Sequence, residues 1–336
     1  MTGIRFSEPK IDYWFDQIYT LDDFLARQRI TGLLLIKNGE ILVERYQYDR
    51  NPTNHFVSNS MAKSIVSLAV GMALAEGKIG SLDDAASKYE PKLAGSLYGE
   101  TSIRNLLRMA SGVRFNETYD QNDDLQRFSI ARFSHQSNIE ALRSFKVRDA
   151  PQGTRFHYAS SETVVLAVLV RAITGSTLSE YLTKRLWQPI GAESDATWAR
   201  TLDGLESSAG GFSANLRDYG RLGILLANDG AVGDKQLVPK QYLLDATDPH
   251  RQPDAFAPGR APSTAWGYGY QFWIFSGEKR RFAVLGAYGQ SIFVDPELKL
   301  VMVITAAGKY ADSGKETLGQ ERDALWRGVI RKYGSW

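Results

Sequence analysis

Two β-rich blocks lie at opposite ends of the 336-residue chain, with helical patterns between them. The first, "GLLLIKNGEILVERY" at 32–46, places two apolar runs around Asn38-Gly39. Asn and Gly accept the positive φ of a type I′ turn, so the stretch reads as a β-hairpin. The second block runs from 269 to 307 as "GYQFWIFS", "RFAVLGA", "SIFVD" and "LKLVMVITAA", with Ser276-Gly277 and Asp295-Pro296 as turns. Helical periodicity covers 65–76, 102–109, 139–145, 162–173, 178–187, 216–226 and 239–247. The economical assembly is an α+β fold in which both chain ends contribute to one antiparallel sheet flanked by helices. Residues 1–80 and 200–336 would then form the sheet domain and 81–199 a mostly helical insert. A site is expected in the cleft between them, where pockets concentrate. The Pro-, Ala- and Gly-rich stretch 250–266 reads as a long surface loop flanking such a cleft.

Composition removes several function classes. The net charge is only +2 and no long Lys/Arg run occurs, which argues against nucleic acid or an anionic membrane surface as partner. The chain has no cysteine, so thiol catalysis, disulfides and Cys-type zinc sites are out. Its four histidines (55, 135, 157 and 250) show no metal-ligand spacing, and no phosphate-binding Gly loop appears; no metal or cofactor is expected. The Gly-x-Ser-x-Gly elbow of α/β-hydrolases is missing. The first residues contain no apolar h-region, which makes a cytoplasmic location the expectation. Oligomeric state is not readable from the sequence.

Catalytic chemistry enters through "SMAK", Ser60 to Lys63. Ser-x-x-Lys by itself decides nothing, because it also occurs at Ser7–Lys10 and Ser276–Lys279. Only Ser60–Lys63 opens a long apolar helix. There i and i+3 share a face, and the positive helix end favours a developing anion on the serine. Burial among Ala62, Ile65, Val66 and Leu68 would lower the lysine pKa and prepare it as a base. The competing reading is an N-cap serine with Lys63 pointing to water, since Ser is common at N-caps.

Two further elements bear on that choice. Tyr158-Ala159-Ser160 stands just before the helix at 162–173; a tyrosine beside a serine–lysine pair can shuttle protons, and a neighbouring cation would lower its pKa from about 10. Ser160 would join the hydrogen bonds around Lys63, and His157 reads as structural or supporting. In "GAYGQSIFVDP", Gly289 on a strand suggests close backbone approach, with Gln290 N–H and Ser60 N–H as oxyanion donors.

Taken in order, these elements resemble the serine β-lactamase/penicillin-binding protein superfamily, in its class C-like esterase branch. Ser60-x-x-Lys63 matches the first motif and Tyr158-x-Ser160 the second. Ala287-Tyr288-Gly289 stands where relatives carry Lys-Thr-Gly or His-x-Gly. "IRNLLRMASGVRF" and "SSAGGFSANLRDYGRLGILLANDG" resemble flanking family segments, so the likeness spans roughly 30–330. Within the superfamily the chain is most similar to 6-aminohexanoate-dimer hydrolase-like enzymes. The resemblance implies a β-lactamase/transpeptidase-like fold and an acyl-enzyme on Ser60, with Lys63 and Tyr158 moving protons. It also implies short-chain esters and linear amides as small-molecule substrates. Tyr119, Asp123 and Asp124 fall in a loop that resembles the amine-binding region of the dimer hydrolases, and Tyr288 and Gly289 fall at the third motif. With Ala287 replacing the third-motif cation, efficient β-lactam hydrolysis is not expected. The alternatives are a β-lactamase or D-amino-acid peptidase of the same fold and, from another class, a penicillin-recognising binding module without turnover.

Overall fold

The computed structural model describes residues 8–259 and 265–336. The expected hairpin forms from β1 (Ile30–Lys37) and β2 (Glu40–Tyr46), turning at Asn38 (φ 53°) and Gly39 (φ 80°). The C-terminal block yields β3 (Trp266–Tyr268), β4 (Trp273–Phe275), β5 (Phe282–Gly286), β6 (Gln290–Asp295) and β7 (Leu300–Ala306). These strands make one antiparallel seven-stranded sheet in the order β3-β4-β5-β6-β7-β1-β2. The seam between the chain ends is β7 against β1, with Met302 opposite Leu35.

Alternation along the strands separates two faces. Leu34, Ile36, Ile292, Val301 and Val303 point into one apolar core, while Leu33, Leu35, Phe293, Met302 and Ile304 point into the other. Four helices position the site. They are α1 (Met61–Ala75), α2 (Asp124–Ile130), α3 (Ser160–Thr174) and α4 (Leu216–Ala227). Helix α4 lies on the first face, and α1 packs against α3 in the same continuous core. A fifth helix, α5 (Thr317–Tyr333), covers the second face with Leu318, Leu325, Trp326, Val329 and Ile330.

Three sequence expectations change here. Trp266 begins a strand inside the stretch read as a loop, and 260–264 of that stretch lie outside the described residues. Residues 269–272, read as strand, form the turn between β3 and β4, with Gln271 at φ 65° and bonded through its amide to Leu107 O. The third change is α5, which lies outside the helical patterns.

Candidate active site

The serine sits in a turn held on two sides. Asn59 takes a left-handed φ of 47° just before it, a conformation Asn tolerates better than most residues. The Asn59 amide donates to Ala287 O at 3.0 Å, which ties the turn to the end of β5. Ser60 itself has helical angles (φ −64°, ψ −8°) and its side chain makes no capping bond to α1. Lys63 is 2% exposed, and its Nζ donates to Ser60 Oγ at 2.9 Å and to Ala209 O at 3.0 Å. The cap-and-surface-lysine reading fails on both counts. Burial brings the Lys63 pKa down to about 8, against the opposing pull of the Glu117 carboxylate.

Tyr158 completes the cluster from the entry to α3. Lys63 Nζ lies 4.9 Å from its ring centroid, and the ring stacks on Trp273 at 5.8 Å. The expected depression of its pKa is not found. Burial pushes the phenol up, the Glu117 charge pushes the same way, and a hydrogen bond with Ser60 only partly offsets them. Tyr158 is therefore a phenol at rest, and Lys63 is the group of the pair whose proton burial loosens. Ser160 is buried beside it, but its amide and hydroxyl both go to Glu117 rather than to Lys63. His157 Nε2 lies 2.6 Å from Phe115 O and serves the loop.

Ser60 and Tyr158 open onto a cleft of about 850 Å³. Glu117, Thr118, Tyr119 and Asp120 wall one side of it; Trp266 and Trp273 of the sheet edge, with Gly286 and Ala287 at the end of β5, wall another. Lys315, Arg322 and Asp323, around the start of α5, close a third. Of the expected contacts, Tyr119 is in place.

The others are displaced for physical reasons. The Gln290 side chain is turned inward, bonding Ala306 O at 2.7 Å and accepting from Ala306 N at 3.2 Å, and the residue is not part of the cleft wall. Gly289 is buried with φ 93°, and a Cβ there would stand 2.6 Å from Leu318, so its smallness serves packing against α5. Tyr288 is exposed outside the cleft wall with φ 62°. Asp123 is buried. Its Oδ1 caps α2 through Gln126 N and its Oδ2 accepts from Thr118 N and Tyr119 N, so it shapes the loop that presents Tyr119. Asp124 accepts from Asn116 N and pairs with Arg127, beside a different cavity.

Glu117, Asp120 and the tryptophans Trp266 and Trp273 escaped the sequence reading. Glu117 had one faint signal, its place two residues before Tyr119 in "FNETYDQNDD". Among the described residues no group of three or more His, Asp or Glu is placed to hold a metal ion.

The fold agrees with comparison against known proteins. The family profile described as "Beta-lactamase" matches residues 19–325. The chain belongs to the beta-lactamase family. Within that family, it is 25% identical over 303 residues to the 6-aminohexanoate-dimer hydrolase of Paenarthrobacter ureafaciens, covering 88% of this chain and 76% of that one. A solved structure from Bacillus anthracis, a candidate 6-aminohexanoate-dimer hydrolase, superposes with a TM-score of 0.83 at 23% identity over 98% of this chain and 88% of that one. EstCE1, a hydrolase with promiscuous acyltransferase activity, superposes with a TM-score of 0.71 at 17% identity over 91% and 96%. This beta-lactamase-family chain thus shares its fold with hydrolases of more than one substrate class.

Proposed function

We propose that this chain hydrolyses short-chain carboxylic esters, and linear amides of the 6-aminohexanoate-oligomer type, through an acyl-enzyme on Ser60. The observation that carries the reading is the 2.9 Å contact between Ser60 Oγ and a lysine that burial keeps near neutrality. Lys63 as free base takes the hydroxyl proton while Oγ bonds to the acyl carbon. The oxyanion forms against Ser60 N–H and, in place of Gln290, against Ala287 N–H, since Ala287 shares the cleft wall with Ser60. Collapse breaks the bond to the leaving group. Tyr158 donates the proton that the leaving alcohol or amine needs and recovers one from the Lys63 ammonium. Water then attacks the acyl-enzyme, its proton returning by the same pair.

Two carboxylates on the cleft wall, Asp120 and Asp312, suit a substrate that carries an ammonium group. That supports the amide reading alongside the likeness to the dimer hydrolase. Ala287 offers a methyl group where a β-lactam carboxylate would need a cation, so nitrocefin is a poor substrate on this reading. The test compares p-nitrophenyl butyrate, 6-aminohexanoate dimer and nitrocefin, each with wild type and Ser60→Ala. Butyrate turnover well above nitrocefin, abolished by Ser60→Ala, is expected. A wild type that neither turns over any of the three nor takes up a fluorophosphonate label would mean a binding module instead.

A further inference from the structure

Glu117 occupies a place that the Ser60–Lys63–Tyr158 chemistry does not use. Its Oε2 accepts from Ser160 N at 2.7 Å and its Oε1 from Ser160 Oγ at 2.8 Å; the Tyr119 hydroxyl donates to Oε1 at 3.4 Å. Ser160 is the first residue of α3, a 15-residue helix whose positive end favours a carboxylate there. The bridge therefore fastens the loop that carries Tyr119 to the helix whose entry carries Tyr158.

The same carboxylate faces Lys63. Around the ammonium stand the Ser60 hydroxyl, the Ala209 carbonyl and the Tyr158 ring, with the Tyr119 phenol beyond. The other charges of the cleft are Asp120, Asp312, Lys315, Arg322 and Asp323, and the last two pair with each other at 3.0 Å. Glu117 is the charge that acts on Lys63, and it acts against burial.

We propose that Glu117 is a positioning residue of the Ser60 centre: its two-oxygen bridge to Ser160 fixes Tyr119 and Tyr158 relative to each other, and holds its negative charge on the side of the Ser60–Lys63 pair. A base that must return its proton to a leaving group works best with a pKa near the operating pH. Burial lowers the Lys63 pKa and the Glu117 charge opposes it.

The inference rests on the proposed roles of Ser60 and Lys63, and two readouts let them fail separately. Glu117→Gln keeps an oxygen for the Ser160 amide and offers an N–H that the Ser160 and Tyr119 hydroxyls can accept, and it removes the charge. The Lys63 Cε resonance in ¹³C-lysine-labelled protein, assigned by its loss in Lys63→Met, gives the titration midpoint without any turnover. In Glu117→Gln the midpoint is expected to fall by about one pH unit. The acid limb of kcat/KM for p-nitrophenyl butyrate should move the same way, with kcat above the limb within about threefold of wild type. Glu117→Ala removes the bridge as well and should lose at least about tenfold in kcat at every pH. If that variant does not fold, Ser160→Ala, which removes the Oγ half of the bridge, is expected to lose kcat in the same direction. Equal midpoints in wild type and Glu117→Gln overturn the charge role. Undiminished kcat in the bridge variants overturns the positioning role. Absence of esterase turnover with a shifted midpoint overturns the proposed function alone.

Discussion

The carbonyl oxygen of Ser58 lies 2.3 Å from the point at which a Cβ on Gly286 would stand. The end of β5 is thus pressed against the turn that presents the serine, with backbone on both sides of the contact. Gly286→Ala must push Ala287 and Ser60 apart, and Ala287 N–H is the proposed second oxyanion donor. The expected result is a loss of kcat of about 10²-fold, comparable to removing one such donor, with KM changed far less. Steady-state kinetics on p-nitrophenyl butyrate check this; an unchanged kcat would show that the strand end and the serine turn are not coupled.

Lys63 is a liability to the fold. Its pKa falls from 10.5 in the unfolded chain to about 8 in the native state, because burial penalises its charge. Between those values the unfolded chain holds a proton that the native state has shed, so stability rises with pH across about 8 to 10.5. Below about 8 the penalty is present in full. Lys63→Met is expected to abolish hydrolysis and yet raise stability by roughly 1–3 kcal/mol at neutral pH. Urea unfolding of both proteins from pH 7 to 10.5 should show the gap closing as pH rises.

Glu162 acts with the opposite sign. It is buried at the first turn of α3 and accepts from Ser111 Oγ at 2.6 Å. Burial raises its pKa to about 8, outweighing the Ser111 hydrogen bonds that pull it down. From about 4.5 to 8 the native state keeps a proton that the unfolded chain gives up, so this group's contribution to stability is lost as pH rises through that window. Glu162→Gln should be close to wild type in thermal midpoint near pH 5 and more stable than wild type near pH 8. A constant difference across the range would contradict the assignment.

Tyr158→Phe keeps the stack on Trp273 and removes only the hydroxyl. As proton donor to the leaving group, the phenol should matter most when that group is a poor one. The expected loss in kcat/KM is about 10²–10⁴-fold for the 6-aminohexanoate dimer and much smaller for a p-nitrophenyl ester, whose leaving group departs without a proton. Equal losses on both substrates would remove Tyr158 from that step.

What the sequence made legible follows the range of each interaction. Ser60 and Lys63 are one helical turn apart, so the pair could be read from local geometry. The sheet could be read from the two β blocks and the alternation inside them. Glu117 could not, because its meaning comes from Ser160, in a segment far along the chain. Gln290 was read as an oxyanion donor because strand patterning does not say that its side chain turns inward to Ala306. The tyrosine pKa was misjudged since a nearby cation is visible in sequence, whereas complete burial and the Glu117 charge are not. Helix α5 was missed because Glu321 and Arg322 interrupt its apolar stripe; both are buried, Glu321 by accepting from Tyr13 OH and Arg27 Nε.

The seam of β1 against β7 also has a consequence for biosynthesis. On the ribosome, the serine, the lysine and the tyrosine all emerge long before Met302 arrives to pair with Leu35. Contacts so distant in sequence form slowly, and the first hairpin leaves its inner edge unpaired until then. A nascent chain halted before β7 carries the whole reactive cluster on an unfinished sheet. Activity should therefore appear only when the last strand is made, and truncation of that strand should yield aggregation rather than a weakened catalyst.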